Sequence, residues 1–340
     1  MSHSRRSKVC APLFQRELDR AIDRLPSLEN VELPLKLAMH RLHFLTWQER
    51  LLLLEQISQK KDFLSIGLAE IERFLYRSIR TQSLDIAKVW EYAERDAEFL
   101  AQRGVRYVSV GDREYPSLLR EIHRAPFGLF VRGAASVLQR PMVTMVGTRA
   151  PTWSGVRAAE RLAKSVSDAG ICVVSGLARG IDAAAHRGAL QGCDSGTVAV
   201  LPCGPDRVYP PSNLSLAASI IERGGCLATE YPPGVSLDRY RFPERNRILA
   251  GISRLTVVVE APAKSGALIT SDFALSEGRD VAVAAECVGS SRNAGADALA
   301  REGACAVRGA EDMLALLGGR GVWDWGIEIE RRGQPRSKES

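Results

Sequence analysis

The stretch "ICVVSGLARGIDAAAHRGAL", residues 171–190, decides the fold of this 340-residue chain. It begins with a short apolar run, bends at a Ser-Gly pair and continues in a helical pattern that carries Asp182 and His186 on one face. A second apolar run, "TVAVL", follows at residues 197–201. A strand, a helix and another apolar strand form one β-α-β unit, which is the repeating element of a parallel sheet.

The same alternation continues through the chain from Met142 onward. The candidate strands are "MVTMV", "ICVVS", "TVAVL", "CLAT", "LTVVVE", "VAVAA" and "CAV". Nearly all are apolar on both faces, as expected of parallel strands that helices cover on both sides. The intervening helices are predicted at residues 154–169, 180–191, 213–223, 244–250, 267–277 and 293–301. The sequence therefore predicts a doubly wound α/β fold with a mostly parallel sheet.

The two ends of the chain carry different patterns. Residues 12–104 have Leu and Ile at helical spacings and few β-branched runs, which predicts a small all-α unit. We therefore expect a helical N-terminal domain over residues 1–104, the α/β domain over 105–317 and a short C-terminal tail over 318–340. That tail is too small for another folded domain.

Composition and charge set limits on the kind of partner. With 45% hydrophobic and 25% charged residues, the composition is that of a globular protein. The net charge of +6 permits a polyanionic partner without demanding one. Any anion site must therefore come from a local cluster of residues.

The sequence also indicates a compartment. No apolar run approaches the roughly 18 residues of a membrane span, and no apolar signal-peptide core follows the basic N-terminus. We expect a cytoplasmic protein with no membrane partner. The seven cysteines include no C-x-x-C pair, which favours small buried hydrophobes over disulfides or a zinc site.

The segments that follow the strands repeat one composition. In an open parallel sheet, ligands bind beyond the carboxyl ends of the strands. The segments there are "GTRAPTWSG", "SGLARGIDAAAH", "DRYRFPERNR" and "EAPAKSGALIT", each with Gly or Pro, most with Ser or Thr, and each with a basic residue. Glycines let backbone N–H groups converge on an anion, and arginine offers a fork that fits phosphate. In the third of these segments arginines alternate with Tyr240 and Phe242, a pattern that suits single-stranded nucleic acid.

Catalytic interpretations stay open at a few positions. Asp182 and His186 form either an acid–base pair or, as we prefer, a charge at the helix start and a packed imidazole. Glu230 and Glu260 are either catalytic carboxylates or partners of nearby arginines. The chain lacks G-x-x-x-x-G-K-[ST], G-x-S-x-G and G-x-G-x-x-G, so ATP hydrolysis, a nucleophile elbow and a dinucleotide cofactor are not supported. No metal site of a nuclease is visible.

Taken in order, several motifs resemble one family over about residues 105–315. "VGTRAPTWSG", "SGLARGIDAAAHRGAL", "ATEYPPG", "FPERNRILAGIS" and "VVVEAPAKSGALIT" closely resemble the DNA-processing proteins called DprA or Smf. The resemblance implies a Rossmann-like domain that binds incoming single-stranded DNA in natural transformation and loads the recombinase RecA onto it. It implies a homodimer rather than an enzyme, with no cofactor, no metal and no catalytic residue, and single-strand binding protein as a further candidate partner.

The resemblance also implies which residues bind DNA. Carried over by motif position and joined to the loop pattern above, the site comprises Gly147, Arg149, Ser154, Gly155, Ser175, Gly176, Arg179, Phe242, Arg245, Asn246, Arg247, Lys264, Ser265, Gly266 and Thr270. We expect Arg149→Ala, or Arg245→Ala combined with Arg247→Ala, to weaken single-strand binding without unfolding the protein.

The chain departs from the family pattern in three places. "VAVAAECVGSS" lacks the proline of the family's Val-Pro-Gly-like segment, so residues 285–291 are not carried over as a binding element. In the loop "PCGPDRVYPPSN", Pro210, Pro211 and Ser212 stand where the family often has a basic residue, so a weaker contribution to DNA binding is expected there. The tail is too short for the winged helix that many members carry. The alternative function is a Rossmann-like binder or hydrolase of small phosphorylated nucleotides, although the Gly-Gly-x-Gly-Thr loop of such hydrolases is absent.

Overall fold

The computed structural model describes residues 28–80, 84–193 and 196–318, and within them nine strands form a single sheet. The strands are β1 (Val105–Ser109), β2 (Gly128–Gly133), β3 (Met142–Val146), β4 (Cys172–Ser175), β5 (Thr197–Val200), β6 (Cys226–Thr229), β7 (Leu255–Val258), β8 (Asp280–Ala284) and β9 (Cys305–Val307).

The helices alternate with these strands after the N-terminal region. They are α1 (Leu33–Arg41), α2 (Trp47–Gln56), α3 (Lys60–Ser65), α4 (Leu68–Phe74), α5 (Ile86–Arg103), α6 (Ser117–Glu121), α7 (Trp153–Asp168), α8 (Ile181–Ala189), α9 (Leu214–Glu222), α10 (Arg241–Gly251), α11 (Gly266–Ser276), α12 (Ala294–Arg301) and α13 (Ala310–Gly318). No helix of the described residues is both long enough and apolar enough to cross a membrane.

The sheet is doubly wound, as the sequence predicts. Its order is β1-β2-β6-β5-β4-β3-β7-β8-β9, and every neighbouring pair from β6 to β9 is parallel. The chain winds outward from β3 to β6, returns to the other side of β3 and winds outward again from β7 to β9. The winding direction therefore reverses between β3 and β7, which is where ligands bind in such sheets.

The central strands are apolar on both faces because helices cover both. Along β3, Val143 and Met145 are buried in one core with Leu162 of α7. The neighbouring residue Val146 is buried in a second core with Ile248 of α10. Since successive side chains of a strand point to opposite faces, one strand supplies both layers.

The segment 105–133 adds two antiparallel strands that were not predicted. β1 pairs with β2 and β2 pairs with β6, which extends the parallel sheet at one edge. The predicted strands and helices after residue 142 are confirmed, with ends that differ by a few residues. The largest difference is α10, which begins at Arg241 and not at Glu244.

The N-terminal helices pack onto this antiparallel edge. Leu37 and Met39 of α1 are fully buried in the same core as Phe127 and Phe130 beside β2. The helical character of the region is confirmed over the described part. Residues 12–27 of the predicted helical unit and residues 319–340 of the tail lie outside the described residues, and the three domain bounds stay predictions.

Candidate nucleic-acid interface

The predicted site lies at the carboxyl edge of the sheet, on the loops that follow β3, β4, β5 and β7. We call residues 147–152, 176–180, 201–213 and 259–265, together with Phe242, the crown. Its exposed cations include Arg149, Arg179 and Lys264. Because the loops follow neighbouring parallel strands, these three positive charges share one edge of the molecule.

A cation stacked on a half-buried ring forms one part of the crown. The guanidinium carbon of Arg149 lies 5.0 Å from the centre of the Phe242 ring, within the range of a cation–π contact. Tyr209 meets the same ring edge-on at 5.6 Å between ring centres. The structure thus joins the first loop, the third loop and the start of α10 through one aromatic side chain.

Hydrogen bonds tie the second and third loops together. Arg179 Nε donates to Ser212 Oγ at 3.4 Å, and Asn213 Nδ2 donates to the Leu177 carbonyl oxygen at 2.9 Å. Tyr209, Ser212 and Asn213 were not predicted as site residues, because Pro210, Pro211 and Ser212 stand where the family often has a basic residue. The signal available was their position directly after a buried strand.

Arg245 is not an exposed ligand, which corrects the prediction for its side chain. The residue is 4% exposed. Its Nη1 donates to the carbonyl oxygens of Gly176, at 2.8 Å, and of Val200, and its Nε donates to Asn246 Oδ1 at 3.3 Å. A β-carbon on Gly176 would lie 2.5 Å from Nη1, so this approach requires glycine. Arg245 therefore forms the floor of the crown.

The charge of Arg245 is partly balanced inside the fold. Burial lowers the pKa of Arg245 to about 10, while the Asp182 carboxylate opposes that shift and Arg149 adds to it. Burial raises the pKa of Asp182, and the charges of Arg245 and Arg149 oppose that rise. Arg149, Arg245 and Asp182 thus interact electrostatically, and the floor contributes positive potential to the surface above it.

Arg247 is also buried and lies away from the crown. It is 7% exposed, and its Nη1 donates to the Arg124 carbonyl oxygen at 2.6 Å while Nη2 pairs with Glu230. Our expectation that alanine at both positions leaves the fold intact does not fit this burial. Removing either guanidinium leaves interior acceptors without donors, which destabilises a protein.

The remaining predicted site residue of the "FPERNR" motif is Asn246, which is also buried. Its Nδ2 donates to the Gly266 carbonyl oxygen at 3.4 Å and so connects α10 to the start of α11. Lys264, just ahead of that start, is exposed and has a left-handed backbone with φ of 63°.

A buried carboxylate from the loop after β7 lies against the start of α7. Glu260, which follows β7, is 1% exposed and accepts from the Thr152 backbone N–H at 3.1 Å and the Thr152 hydroxyl at 2.6 Å. Thr152 Oγ1 in turn caps the helix by accepting from Gly155 N at 3.0 Å. A β-carbon on Gly155 would lie 2.0 Å from Glu260 Oε2. The protein's own carboxylate therefore fills the anion position that a helix start offers.

The predicted hydroxyl ligands divide into exposed and buried groups. Ser154 is exposed and lies 2.9 Å from Thr152 Oγ1. Ser175 is fully buried and donates to the Met145 carbonyl oxygen at 2.6 Å, and Thr270 is buried as well. Ser265 caps α11 by accepting from Ala267 N. Ser175 and Thr270 thus support the loops from below, which corrects their assignment as direct ligands.

Asp182 and His186 have separate surroundings: Asp182 accepts from the Ala178 backbone N–H of the second loop at 3.4 Å, and His186 points into the core. His186 is fully buried, and its Nδ1 lies 2.9 Å from Thr197 Oγ1. The Thr197 hydroxyl donates to the Val173 carbonyl oxygen, so it accepts from His186 Nδ1–H. Burial lowers the pKa of His186 to about 3, which keeps it neutral. This imidazole is a structural group, as we preferred.

No metal cluster is evident at the crown or elsewhere in the described part of the chain. Within residues 28–80, 84–193 and 196–318, no group of three or more His, Cys, Asp or Glu side chains is arranged to hold an ion. The chemistry that the crown offers is therefore that of hydrogen-bond donors, guanidinium charge and aromatic faces.

Comparison with known protein families gives one clear match. A family described as DNA recombination-mediator protein A matches residues 106–318. Protein Smf of Escherichia coli K12 is 34% identical over 252 residues, which cover 74% of this chain and 64% of that protein. Protein Smf of Synechocystis is 39% identical over 231 residues, which cover 67% and 58%. The chain thus spans about three fifths of the length of these two relatives.

Solved structures give the same result. The X-ray structure of DNA processing protein A (DprA) from Streptococcus pneumoniae has a TM-score of 0.66 and 33% identity, and the match covers 84% of this chain and 98% of that chain. A Helicobacter pylori DNA processing protein A, described for its single-stranded DNA binding mode, has a TM-score of 0.55 and 24% identity over 62% of this chain and 95% of that one. At that identity the second match supports the fold alone.

Proposed function

The chain belongs to the DNA recombination-mediator protein A family, and from that premise we propose that it binds single-stranded DNA at the crown. The observation that carries the proposal is the exposed Arg149 guanidinium stacked on Phe242, on the same sheet edge as Arg179 and Lys264. Charge for phosphates next to a flat ring for bases is the combination that unpaired strands require.

Each part of the crown has a role in this proposal. Arg149, Arg179 and Lys264 bind phosphate oxygens, since all three side chains are exposed cations. Phe242 and Tyr209 offer ring surface to bases. Arg245 and Asn246 hold the loops at fixed separations from below, so the exposed groups need little reordering when DNA binds.

The names of some relatives support a wider role. The Streptococcus pneumoniae relative is named DNA processing protein DprA, and the Helicobacter pylori structure is described for single-stranded DNA binding. We propose that this protein likewise acts in DNA processing, protects incoming single strands and loads RecA onto them. Single-strand binding protein and a second copy of the chain are further proposed partners.

The site supports binding better than hydrolysis of a small nucleotide. A hydrolase at this edge needs a carboxylate that reaches the substrate, and Glu260 is the candidate that follows β7. Glu260 is buried and already bound by the Thr152 N–H and hydroxyl. We therefore propose a DNA-binding role without catalysis.

The experiment compares labelled single-stranded and duplex oligonucleotides by fluorescence anisotropy at several salt concentrations. We expect the single strand to bind more tightly. Its log K should fall with log salt at a slope of about −2, since single strands give about −0.7 for each phosphate contact. The crown has three exposed cations besides Arg207, which pairs with Asp206. Preference for the duplex, or an affinity that salt does not change, would contradict the proposal.

A further inference from the structure

A second concave site adjoins the crown. A cleft of about 800 Å³ lies between the N-terminal helices and the start of α10, and residues 40–50, 123–127, 230–235 and 240–247 supply its lining. Arg241 lines the cleft, and the next residue, Phe242, belongs to the crown. The two sites therefore meet at the first turn of α10.

The cleft carries an excess of positive charge. Its charged lining residues are Arg41, Arg50, Arg124, Arg241, Arg247, Glu230 and Glu244. Asp96, outside the cleft, pairs with Arg41 through two hydrogen bonds of 2.7 and 2.8 Å. The other four arginines outnumber the two glutamates by two. An anion is therefore attracted to the cleft.

Two buried donors in the lining have no acceptor. Trp47 is 5% exposed, and its indole N–H makes no hydrogen bond. The Nε–H of Arg247 makes no hydrogen bond either, and Glu244 Oε2 lies 3.9 Å from this nitrogen as an ion-pair partner. Both groups donate and never accept, and buried donors in folded proteins normally have partners. Both atoms are closed to solvent, so a ligand acceptor in the cleft reaches them only after a small shift of the side chains that cover them.

The rim of the cleft is aromatic. The Arg241 guanidinium carbon lies 4.8 Å from the centre of the Tyr231 ring and 5.5 Å from that of Tyr240. Tyr240 is 58% exposed, so its ring is open to a stacking partner. A flat heterocycle with acceptor atoms and a phosphate, which is a nucleotide, matches the ring, the free donors and the charge together.

The walls of the cleft are held in place before any ligand binds. His40 Nε2 lies 2.7 Å from the Glu230 carbonyl oxygen, and Nδ1 lies 2.9 Å from the Tyr107 hydroxyl. A carbonyl oxygen only accepts, so Nε2 donates to it and Nδ1 accepts from Tyr107. The two bonds connect α1 to the residue after β6 and to β1, and the ion pair between Glu230 and Arg247 continues to α10.

We propose that this cleft is a second nucleotide subsite, into which a single strand continues after it leaves the crown. The inference rests on the proposed function, and it makes the N-terminal helices part of the DNA-binding surface. A free nucleoside monophosphate has the same chemistry as one unit of the strand, so the test includes both.

The test places acidic residues on the helical wall without changing α10. His43 and Gln48 line the cleft from that side. Binding of labelled oligothymidylates of about 20 and about 6 nucleotides is measured for His43→Glu with Gln48→Glu. The matched control is Gln56→Glu with Gln102→Glu, two exposed glutamines outside the cleft. We expect the cleft variant to bind the long oligonucleotide at least about fivefold more weakly, with the short one and the control unchanged.

Unchanged affinity of the cleft variant for the long oligonucleotide would overturn the subsite. The crown has its own test, because Arg149→Glu with Arg179→Glu should weaken binding of both lengths. If the crown variant weakens both lengths while the cleft variant weakens neither, the cleft proposal fails and the proposed function stands. If the crown variant weakens neither, the proposed function fails by itself.

A second variant reports on the free donor. Trp47→Phe keeps a buried aromatic ring and removes the N–H together with part of the indole, so its urea midpoint is measured beside its affinity. We expect it to bind the long oligonucleotide about three- to fivefold more weakly. Titration with dTMP by calorimetry forms the other arm. Suppose that dTMP binds, that Trp47→Phe abolishes this binding, and that the affinity for the long oligonucleotide is unchanged. The cleft would then be assigned to a free nucleotide, and its role in holding the strand would be overturned.

Discussion

The Arg245 guanidinium lies directly against the backbone of Gly176, and its Nη1 donates to the Gly176 carbonyl oxygen at 2.8 Å. The two residues come from motifs that are 69 positions apart in the chain. The glycine provides the space, and the arginine provides the donor that the loop carbonyl needs. The contact fixes the position of the second loop, which carries Arg179, so the arrangement of the crown's cations depends on it.

Gly176→Ala tests this contact. The added β-carbon would lie 2.5 Å from Arg245 Nη1 and would displace a buried guanidinium. We expect the free energy of unfolding to fall by about 1–3 kcal/mol and single-strand affinity to fall with it. Urea denaturation and anisotropy measure the two effects. Gly309→Ala is the control, because a β-carbon there meets nothing within 4 Å. An unchanged urea midpoint for Gly176→Ala would show that the contact is not tight.

Arg149→Ala and Arg245→Ala should have opposite profiles. Arg149 is exposed, so its replacement should weaken binding and change the unfolding free energy by less than about 0.5 kcal/mol. Arg245→Ala leaves the Gly176 and Val200 carbonyl oxygens without a donor in the interior, which should cost about 2–4 kcal/mol. Equal stabilities of the two variants, measured by thermal or urea unfolding, would contradict the distinction between surface and floor.

Glu260→Ala tests the carboxylate at the start of α7. The Thr152 N–H and hydroxyl would lose their acceptor, so we expect a loss of about 1–3 kcal/mol in unfolding free energy. Glu98→Ala, at an exposed position of α5, should change stability by less than about 0.5 kcal/mol.

Glu260→Gln, assayed with AMP, addresses the alternative function. If the unaltered protein releases base from AMP and Glu260→Gln abolishes that release, a hydrolase would be favoured.

Stability should fall as the pH falls below about 6.5, because of two buried histidines. Burial lowers the pKa of His40 and of His186 from 6.5 to about 3. Between these values the unfolded chain binds protons that the folded protein does not bind. Each histidine therefore removes about 1.4 kcal/mol of stability for each pH unit below 6.5. From pH 7.5 to pH 5.5 we expect urea unfolding to report a loss of about 2–3 kcal/mol.

Histidine variants provide the control for this pH dependence. His40→Gln should reduce the pH-dependent loss by about half, whatever its effect on absolute stability. His43→Gln provides the matched substitution at an exposed histidine. A stability that does not change between pH 7.5 and pH 5.5 would mean that the imidazoles are accessible to protons in the folded state.

The parallel part of the fold could be predicted from sequence because its signals are local. A run such as "MVTMV" is apolar on both faces, and the glycines and helices around it repeat in order. The strand β2 was missed because "GLFVRG" is flanked by glycines and precedes the repeat. Its pairing with β1 and with β6 depends on residues far away in the chain.

The location of the DNA site stays a prediction, and the structure shows which of its residues are exposed and which are buried. Sequence placed the arginines after the strands, and Arg149 and Arg179 are exposed there. It could not show that Arg245 is buried, because its acceptors lie 45 and 69 residues earlier. The cleft was missed for a similar reason. Trp47 and His40 carry no motif, and packing of α1 and α2 against the sheet edge brings them beside α10.

The most direct test of DNA binding at the crown is a charge reversal at opposite edges of the sheet. Arg149→Glu with Arg179→Glu changes the crown by four charge units, and Arg103→Glu with Arg132→Glu makes the same change at exposed positions beside the amino ends of the parallel strands. Anisotropy with a single-stranded oligonucleotide at low salt compares the two. We predict a loss of affinity of at least about 30-fold for the crown variant and less than about threefold for the control. Equal losses in both variants would contradict a DNA-binding site at the crown.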